Sequence, residues 1–431
     1  MVILLILSTI ITWTVGRLVY KTDLRLYKNI YLAIGFALNL SILLYYKYSD
    51  FFLQLAGSST RLNLLLPAGI SFYTFQSLTY IMDCYRKETA PEENIFKYAL
   101  FVSFFPCILS GPIERSKNFL KQIDIEKKFD TLRIKEGLFL MLWGYFLKLV
   151  IVSRLTILTD FVYSQSDLTG IPMLVAMFAY AFEIYCDFAG YSFIAIGAAR
   201  ILGFELMRNF RQPYLAISIA DFWRRWHISL STWFRDYLYI PLGGSRVGTV
   251  RRYANLMIVF LVSGLWHGAN LTFVMWGFLY GCYQVVGIML EKVKKRGFEL
   301  CGMNRTNGVG RIISTAFTFF VVSFTWMFFR AATISEAFDV ISRTFRNINL
   351  SDLFNGTIFG LGLGIFNLLV VIFAILLLII FDVFCEKKSI EIYSMLDSVK
   401  WYFRWGIYYL LIIMIIFSCN LSTTEFLYQS F

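Results

Sequence analysis

The chain has two histidines, seven prolines and seven cysteines in 431 residues, and only 16% of its residues are charged. Each scarcity excludes something. Charge this sparse, with 58% hydrophobic residues and a mean hydropathy of +0.64, lies outside the balance of a soluble globular chain. The cysteines (Cys84, Cys107, Cys186, Cys282, Cys301, Cys385, Cys419) are odd in number and lie mostly within or beside apolar runs. They form neither a disulfide framework nor a metal spacing. His227 and His267 stand forty residues apart with no neighbouring set of acidic or thiolate ligands. A resident metal needs three or four ligands, so neither a metal nor a bound cofactor is expected. No G-x-S-x-G elbow, phosphate-binding glycine loop, internal repeat or proline-rich linker occurs.

What the chain does have is apolar length. Candidate spans run over residues 2–17, 29–46, 64–82, 137–158, 171–201, 254–290, 311–330, 358–385 and 402–419. A crossing helix needs about 20 such residues for a ~30 Å hydrocarbon core. The chain therefore reads as an all-α, multi-pass membrane protein, with residues 1–431 forming one transmembrane domain in the lipid bilayer. Its net charge of +12 sits in the connections 17–28, 117–136, 205–253, 291–311 and 386–404. The positive-inside rule places these in the cytoplasm, and no nucleic-acid partner is needed to explain them. Connections 160–170 and 347–357 are poor in Lys and Arg and are placed outside. The N-terminus lacks a basic leader and a small-residue cleavage site, so it reads as a first membrane helix with its start outside.

Two segments break this pattern. Residues 98–111, "YALFVSFFPCILSG", are too short to cross comfortably and are flanked by charge, which predicts a re-entrant or interfacial piece. Residues 205–253 are too charged to cross simply and too aromatic for an ordinary loop. On a single helix, Asp221 and Arg225 would pair at i,i+4, and His227 and Ser231 would share a face. Trp223, Trp226 and Trp233 would supply amphipathic bulk, with Asp221 as cap and "PLGG" as the stop. Such a helix would lie in the interface or dip into the membrane.

The window 254–290 holds about 37 mostly apolar residues between two basic loops, which demands an even number of crossings. A hairpin is predicted, turning near Gly268, Ala269 and Asn270. Its first arm, from 254 to 267, reaches only ~21 Å and leaves His267 inside the membrane's thickness. An ionisable group at that depth marks a pathway or site, and an imidazole suits proton transfer near neutrality. The competing reading is a histidine that glues helices together. Ser263 and Gly264 share the face of His267 and would leave room beside it. Gly264 with Gly268, and Gly277 with Gly281, form G-x-x-x-G pairs that close helix packing explains without chemistry. In "YCDFAGYS", Tyr185, Asp187 and Tyr191 put an acid in an apolar run, as a site-lining residue or as a partner for a base such as Arg200.

Seven stretches carry a resemblance: "LPAGISFYTFQSLTYIMDCYR" (66–86), "LSGPIERSKNFLKQI" (109–123), "YCDFAGYSFIAIGAARILGF" (185–204), "DFWRRWHISLSTWFRDYLYIPLGGSR" (221–246), "GLWHGANLTFVMWG" (264–277), "FTWMFFRA" (324–331) and "TTEFLYQSF" (423–431). In this order they resemble the membrane-bound O-acyltransferases, in particular the branch of the alginate O-acetyltransferase membrane subunit. The resemblance implies a ring of membrane helices with re-entrant or interfacial segments around a thinned central region. Family members carry additional helices before the part that matches residues 1–53, so this chain resembles a form shortened at its start.

The resemblance further implies that His267 holds the position of the catalytic histidine and His227 the second polar position of the same site. The implied reaction moves an acetyl group from a cytoplasmic thioester to a hydroxyl, for O-acetylation of a polysaccharide outside the cytoplasm. Acetyl-CoA would be the co-substrate, or an acyl carrier the donor, and an extracytoplasmic acetyltransferase the partner protein. The chain would sit in the cytoplasmic (inner) membrane. On this reading His267 is the general base, while His227, with Ser231, orients the acceptor or helps hold the donor. Arg224, Arg225 and Arg235 would contact donor phosphates, unless they are topology signals or headgroup contacts. Asp187 and Tyr191 would line the site. Two alternatives stand beside this one. A sister branch transfers D-alanyl groups from a carrier protein to teichoic acid, although "LGGSR" and "GPIERSKNFLKQ" look more like the acetylating branch. A membrane transporter would show inverted repeats with paired broken helices, and none is found.

Overall fold

The computed structural model describes residues 2–396 and 399–419, so the stretch 423–431 lies outside the described residues. Among the described residues every regular element is helical, as the all-α reading expects. Eight helices among the described residues are long and apolar enough to cross a membrane: α1 (Val2–Lys21), α2 (Arg25–Leu55), α7 (Thr131–Ser164), α8 (Ile171–Ile201), α12 (Leu271–Met289), α14 (Gly308–Arg330), α16 (Ile365–Lys388) and α18 (Trp401–Ser418). The shorter helices between them are α3 (Ile70–Tyr85), α4 (Ile95–Ser103), α5 (Phe105–Ile108), α6 (Ser116–Ile123), α9 (Ile219–Trp223), α10 (Ile228–Phe234), α11 (Thr249–His267), α13 (Glu291–Leu300), α15 (Ile334–Phe345) and α17 (Ile392–Met395). The chain forms two compact units.

The first unit comprises Met1–Leu138, Ala195–Arg208 and Thr232–Pro241. Here α1 packs on α2 and α3, and the Tyr98 hydroxyl donates to Thr12 at 2.7 Å. The segment 98–111 is not one continuous helix. Asn94 caps α4 through the amides of Phe96 and Lys97, and the chain then bends into the four-residue α5. Gly69, with φ +76°, starts α3 where a Cβ would fall 1.9 Å from the Ile108 carbonyl oxygen. Only glycine combines that backbone with that approach. Residues 232–241 belong to the same unit: Trp233 stacks on Phe75 at 4.0 Å and donates to Thr79, and Tyr237 donates to Asp83 at 2.6 Å.

The second unit comprises Phe139–Ile194, Asn209–Ser231 and the described residues of Leu242–Phe431. Its centre is the predicted hairpin. α11 and α12 pack along their length, joined by a turn at Gly268, Ala269 and Asn270 in which Asn270 caps α12 through the Thr272 amide. The Asn270 side-chain amide also donates to the Ala332 carbonyl at 2.7 Å, tying the turn to the end of α14. Thr333 then caps α15 by accepting from the Glu336 amide, and the Glu336 carboxylate accepts from the Ala332 amide, one residue before the cap. The first arm begins at Thr249, five residues earlier than expected, and rises ~28 Å over its 19 residues.

Candidate active site

His267 is the last residue of α11, and Gly268 stops the helix in an extended conformation. Its ring lies edge-on to Trp266 and Trp276, each at 5.0 Å, and to Phe329 at 5.4 Å. His227 lies in the same unit with its ring centre 6.4 Å from that of His267, and meets Phe188 edge-on at 4.5 Å. Both imidazoles are buried, with relative exposures of 0% for His227 and 3% for His267. A reacting atom between the rings could come within the ~2.6–3.2 Å reach that proton transfer requires of each. The structure thus unites the two histidines of the sequence in one aromatic cluster.

How the chain delivers His227 differs from the single helix expected. The segment breaks after Trp223 and restarts at Ile228, and His227 sits between the pieces at φ +43°. Positive φ is uncommon for a non-glycine residue, though less so for histidine. Hydrogen bonds around it hold the turn. The Ile228 amide donates to the Asn209 carbonyl at 2.9 Å, the Ser229 hydroxyl to the Asn209 side-chain oxygen at 2.6 Å, and the Asn209 amide to Ser192 at 3.1 Å. Burial pushes His227 down to about 3, so the ring is neutral at physiological pH.

Several expectations are corrected. Ser231 does not present its hydroxyl to His227; it donates to the Trp226 carbonyl at 3.1 Å, inside its own turn. Ser218, rather than Asp221, caps α9, accepting from the Asp221 amide. Trp223, Trp226 and Trp233 are buried among protein side chains, which removes the amphipathic surface of an interfacial helix. Gly264 does not clear space for the imidazole. A Cβ there would fall 2.2 Å from the Phe273 carbonyl oxygen, and one at Gly277 would fall 2.3 Å from that of Phe260, so both glycines serve helix packing.

The arginines divide. Arg225 makes the expected i,i+4 pair with Asp221 at 3.1 Å, and also a two-pronged pair with Glu386 of α16 at 2.8 and 2.9 Å. Its guanidinium is engaged by these two carboxylates. Arg224 is exposed and touches Asp221 at 3.3 Å. Arg235 belongs to the first unit, is exposed, and pairs with Asp236 at 2.7 Å. Asp187 is buried on α8 and paired with Lys148 of α7, not with Arg200, which holds Glu136 and Glu205. Tyr185 is buried and donates to Asp382 at 3.2 Å, while Tyr191, one turn beyond Asp187, is half-buried.

The sequence profile of MBOAT, the membrane-bound O-acyltransferase family, matches residues 30–333. The chain belongs to this family. Over 318 residues it is 39% identical to the probable alginate O-acetylase AlgI of Pseudomonas putida, an alignment covering 71% of this chain and 63% of the relative. It is 35% identical over 371 residues to the peptidoglycan O-acetyltransferase of Helicobacter pylori, covering 78% of this chain and 69% of that one. The teichoic acid D-alanyltransferase of Bacillus subtilis is 29% identical over 281 residues, covering 62% and 69%. The chain spans a little under two thirds of the P. putida relative's length.

In this member of the family, Lys148, Asp382 and Asn209 were not singled out from the sequence. Lys148 had a signal, a lone lysine in the apolar run "YFLKLVIV", which is the pattern that marks buried charge at membrane depth. It lies in a π-helical stretch of α7, Phe146–Val152, the kind of local bulge that often accompanies a site. Asn209 had no such signal, because its partners are set by tertiary contacts.

Proposed function

We propose that this protein transfers an acetyl group from a thioester donor, acetyl-CoA or an acyl carrier presented at the cytoplasmic face, to a hydroxyl handled outside the cytoplasm. The observation that carries this reading is the pair of buried imidazoles, 6.4 Å apart, closing one end of the α11–α12 hairpin. A neutral imidazole of His267 takes the proton of the acceptor hydroxyl as its oxygen attacks the thioester carbonyl. The carbon–sulfur bond breaks, and the proton passes to the departing thiolate, leaving an O-ester and a free thiol. His227, kept neutral by burial, can accept or donate one hydrogen bond to orient the acceptor or the donor. The aromatic walls exclude water, which suppresses hydrolysis of the thioester and strengthens each polar contact.

Exposed Arg224 and Arg235 remain candidates for donor phosphates. Lys148 and Asp187 form a buried charged pair in the same unit as the histidines, and Tyr191 stands beside it on α8. The relatives named for alginate and peptidoglycan acetylation match at higher identity than the one named for D-alanyl transfer, which favours acetyl over D-alanyl. A polysaccharide hydroxyl, reached directly or through an extracytoplasmic acetyltransferase partner, is the acceptor this reading assigns. The chain would act in the cytoplasmic membrane.

The test uses proteoliposomes holding the full chain, supplied with acetyl-CoA labelled in the acetyl group and with a polysaccharide acceptor. Acyl transfer predicts label in alkali-labile ester linkage on the acceptor. Label that crosses the bilayer without any covalent product would make the protein a transporter and end this reading. Label accepted only from a D-alanyl carrier would move the protein to the sister reaction.

A further inference from the structure

Away from the histidines, a cavity of about 790 Å³ opens in the second unit between the C-terminal half of α12 and the N-terminal half of α14. That is within the ~300–1,000 Å³ typical of a ligand pocket. Its walls are mostly apolar, with Val286, Ile313, Phe317 and Val321 among them, and the turn Ile217–Ala220 also lines it. The charged groups are Arg252, Glu291, Lys294 and Arg305. They lie where α11 begins, α12 ends and α14 begins, so charge is confined to one end of an otherwise apolar slot.

These charges do not cancel. Arg305 is fully engaged: one nitrogen holds both Glu291 oxygens at 3.0 and 3.1 Å, and another donates to the Ile217 carbonyl at 3.1 Å. That matches the only carboxylate in the lining and leaves Arg252 and Lys294. The Arg252 Nε is buried with no hydrogen-bond partner in the protein. Partial burial, and then the neighbouring Arg305, hold the Lys294 ammonium below its ordinary value. Three cations against one carboxylate at the mouth of an apolar slot describe a receptor for an amphiphile with a negative head.

We propose that this cavity is a binding site for one anionic phospholipid, with its acyl chain between α12 and α14 and its phosphate against Arg252 and Lys294. A phosphate there would supply the acceptor that the Arg252 Nε lacks and would relieve the repulsion between Lys294 and Arg305. The apolar walls match an aliphatic chain, whereas the adenine and ribose of a nucleotide donor would meet few polar groups. This assignment stands independently of the acyl-transfer reading.

The experiment is native mass spectrometry of the full chain released from detergent after incubation with equimolar phosphatidylglycerol and phosphatidylcholine of identical acyl chains. The wild type should retain phosphatidylglycerol in preference. Each basic residue near an anionic headgroup contributes about fivefold, so Arg252→Gln with Lys294→Gln should weaken retention roughly 10- to 30-fold. Gly287→Trp provides the second arm. A Cβ at Gly287 meets nothing within 4 Å, so the indole can enter the cavity without displacing backbone. That variant keeps both cations and should still lose the lipid, with helical content unchanged by circular dichroism. Equal retention of the two lipids would overturn the headgroup assignment, and wild-type retention by Gly287→Trp would overturn the location. Displacement of phosphatidylglycerol by equimolar acetyl-CoA would make the occupant the donor rather than a lipid.

Discussion

At the scale of residues, His227 is the most constrained group of the site. It combines complete burial with a left-handed backbone, a conformation that costs ~1–3 kcal/mol and persists only where surrounding contacts over-determine it. Asn209 supplies those contacts, so Asn209→Ala should destabilise the fold by ~1–3 kcal/mol through the polar groups it strands. Chemical denaturation in detergent measures this. The buried ring also makes stability depend on pH. Its pKa of about 3 in the fold lies below the ~6.5 of an unfolded histidine. The contribution is therefore complete above pH ~6.5 and is lost as pH falls from there toward 3. His227→Gln should flatten the fall in thermal midpoint between pH 7 and pH 5 relative to wild type; an identical fall in both proteins would show that another group sets it. In the sequence, both histidines stood out as candidates because imidazoles are rare, and His267 also because it lies in an apolar run. The pairing of Arg225 with Glu386 was not legible, because the two lie 161 residues apart.

At the scale of elements, the α11–α12 hairpin rests on two glycine contacts with the facing backbone. Gly264→Ala places a Cβ 2.2 Å from the Phe273 carbonyl oxygen, where no side chain can yield. Overpacking of this kind costs ~1–3 kcal/mol and should lower the thermal midpoint, whereas Gly287→Ala on the same hairpin meets open space and should not. The salt bridge between Arg225 and α16 behaves differently. Removing one partner of a buried pair costs ~3–5 kcal/mol, so Arg225→Ala should destabilise strongly, toward the lower end because Arg311 also reaches Glu386 at 3.2 Å. The hairpin was legible because counting apolar residues between basic loops leaves only an even number of crossings. The break between α9 and α10 was not, since no glycine or proline interrupts residues 219–234. Burial of Trp223, Trp226 and His227 divides that helix, and such tertiary forces leave no local mark.

At the scale of the whole molecule, the all-α membrane architecture was legible from hydropathy alone, because helices are the simplest way to satisfy backbone hydrogen bonds in lipid. Charge sets the expected orientation, which puts the basic connection 291–311 in the cytoplasm. Cys301 is exposed within that connection, so an impermeant maleimide should label it in inverted vesicles and spare it in intact cells. The reverse pattern would turn the chain over. With that orientation the proposed function has a donor on one face, an esterified hydroxyl on the other, and His267 moving the proton between them. The direct measurement is label transfer from acetyl-CoA to a polysaccharide hydroxyl by His267→Ala, at a protein level and thermal midpoint matched to wild type. The account predicts a rate reduced by ~10²- to 10⁴-fold, the usual worth of general base catalysis. Transfer at the wild-type rate would contradict it.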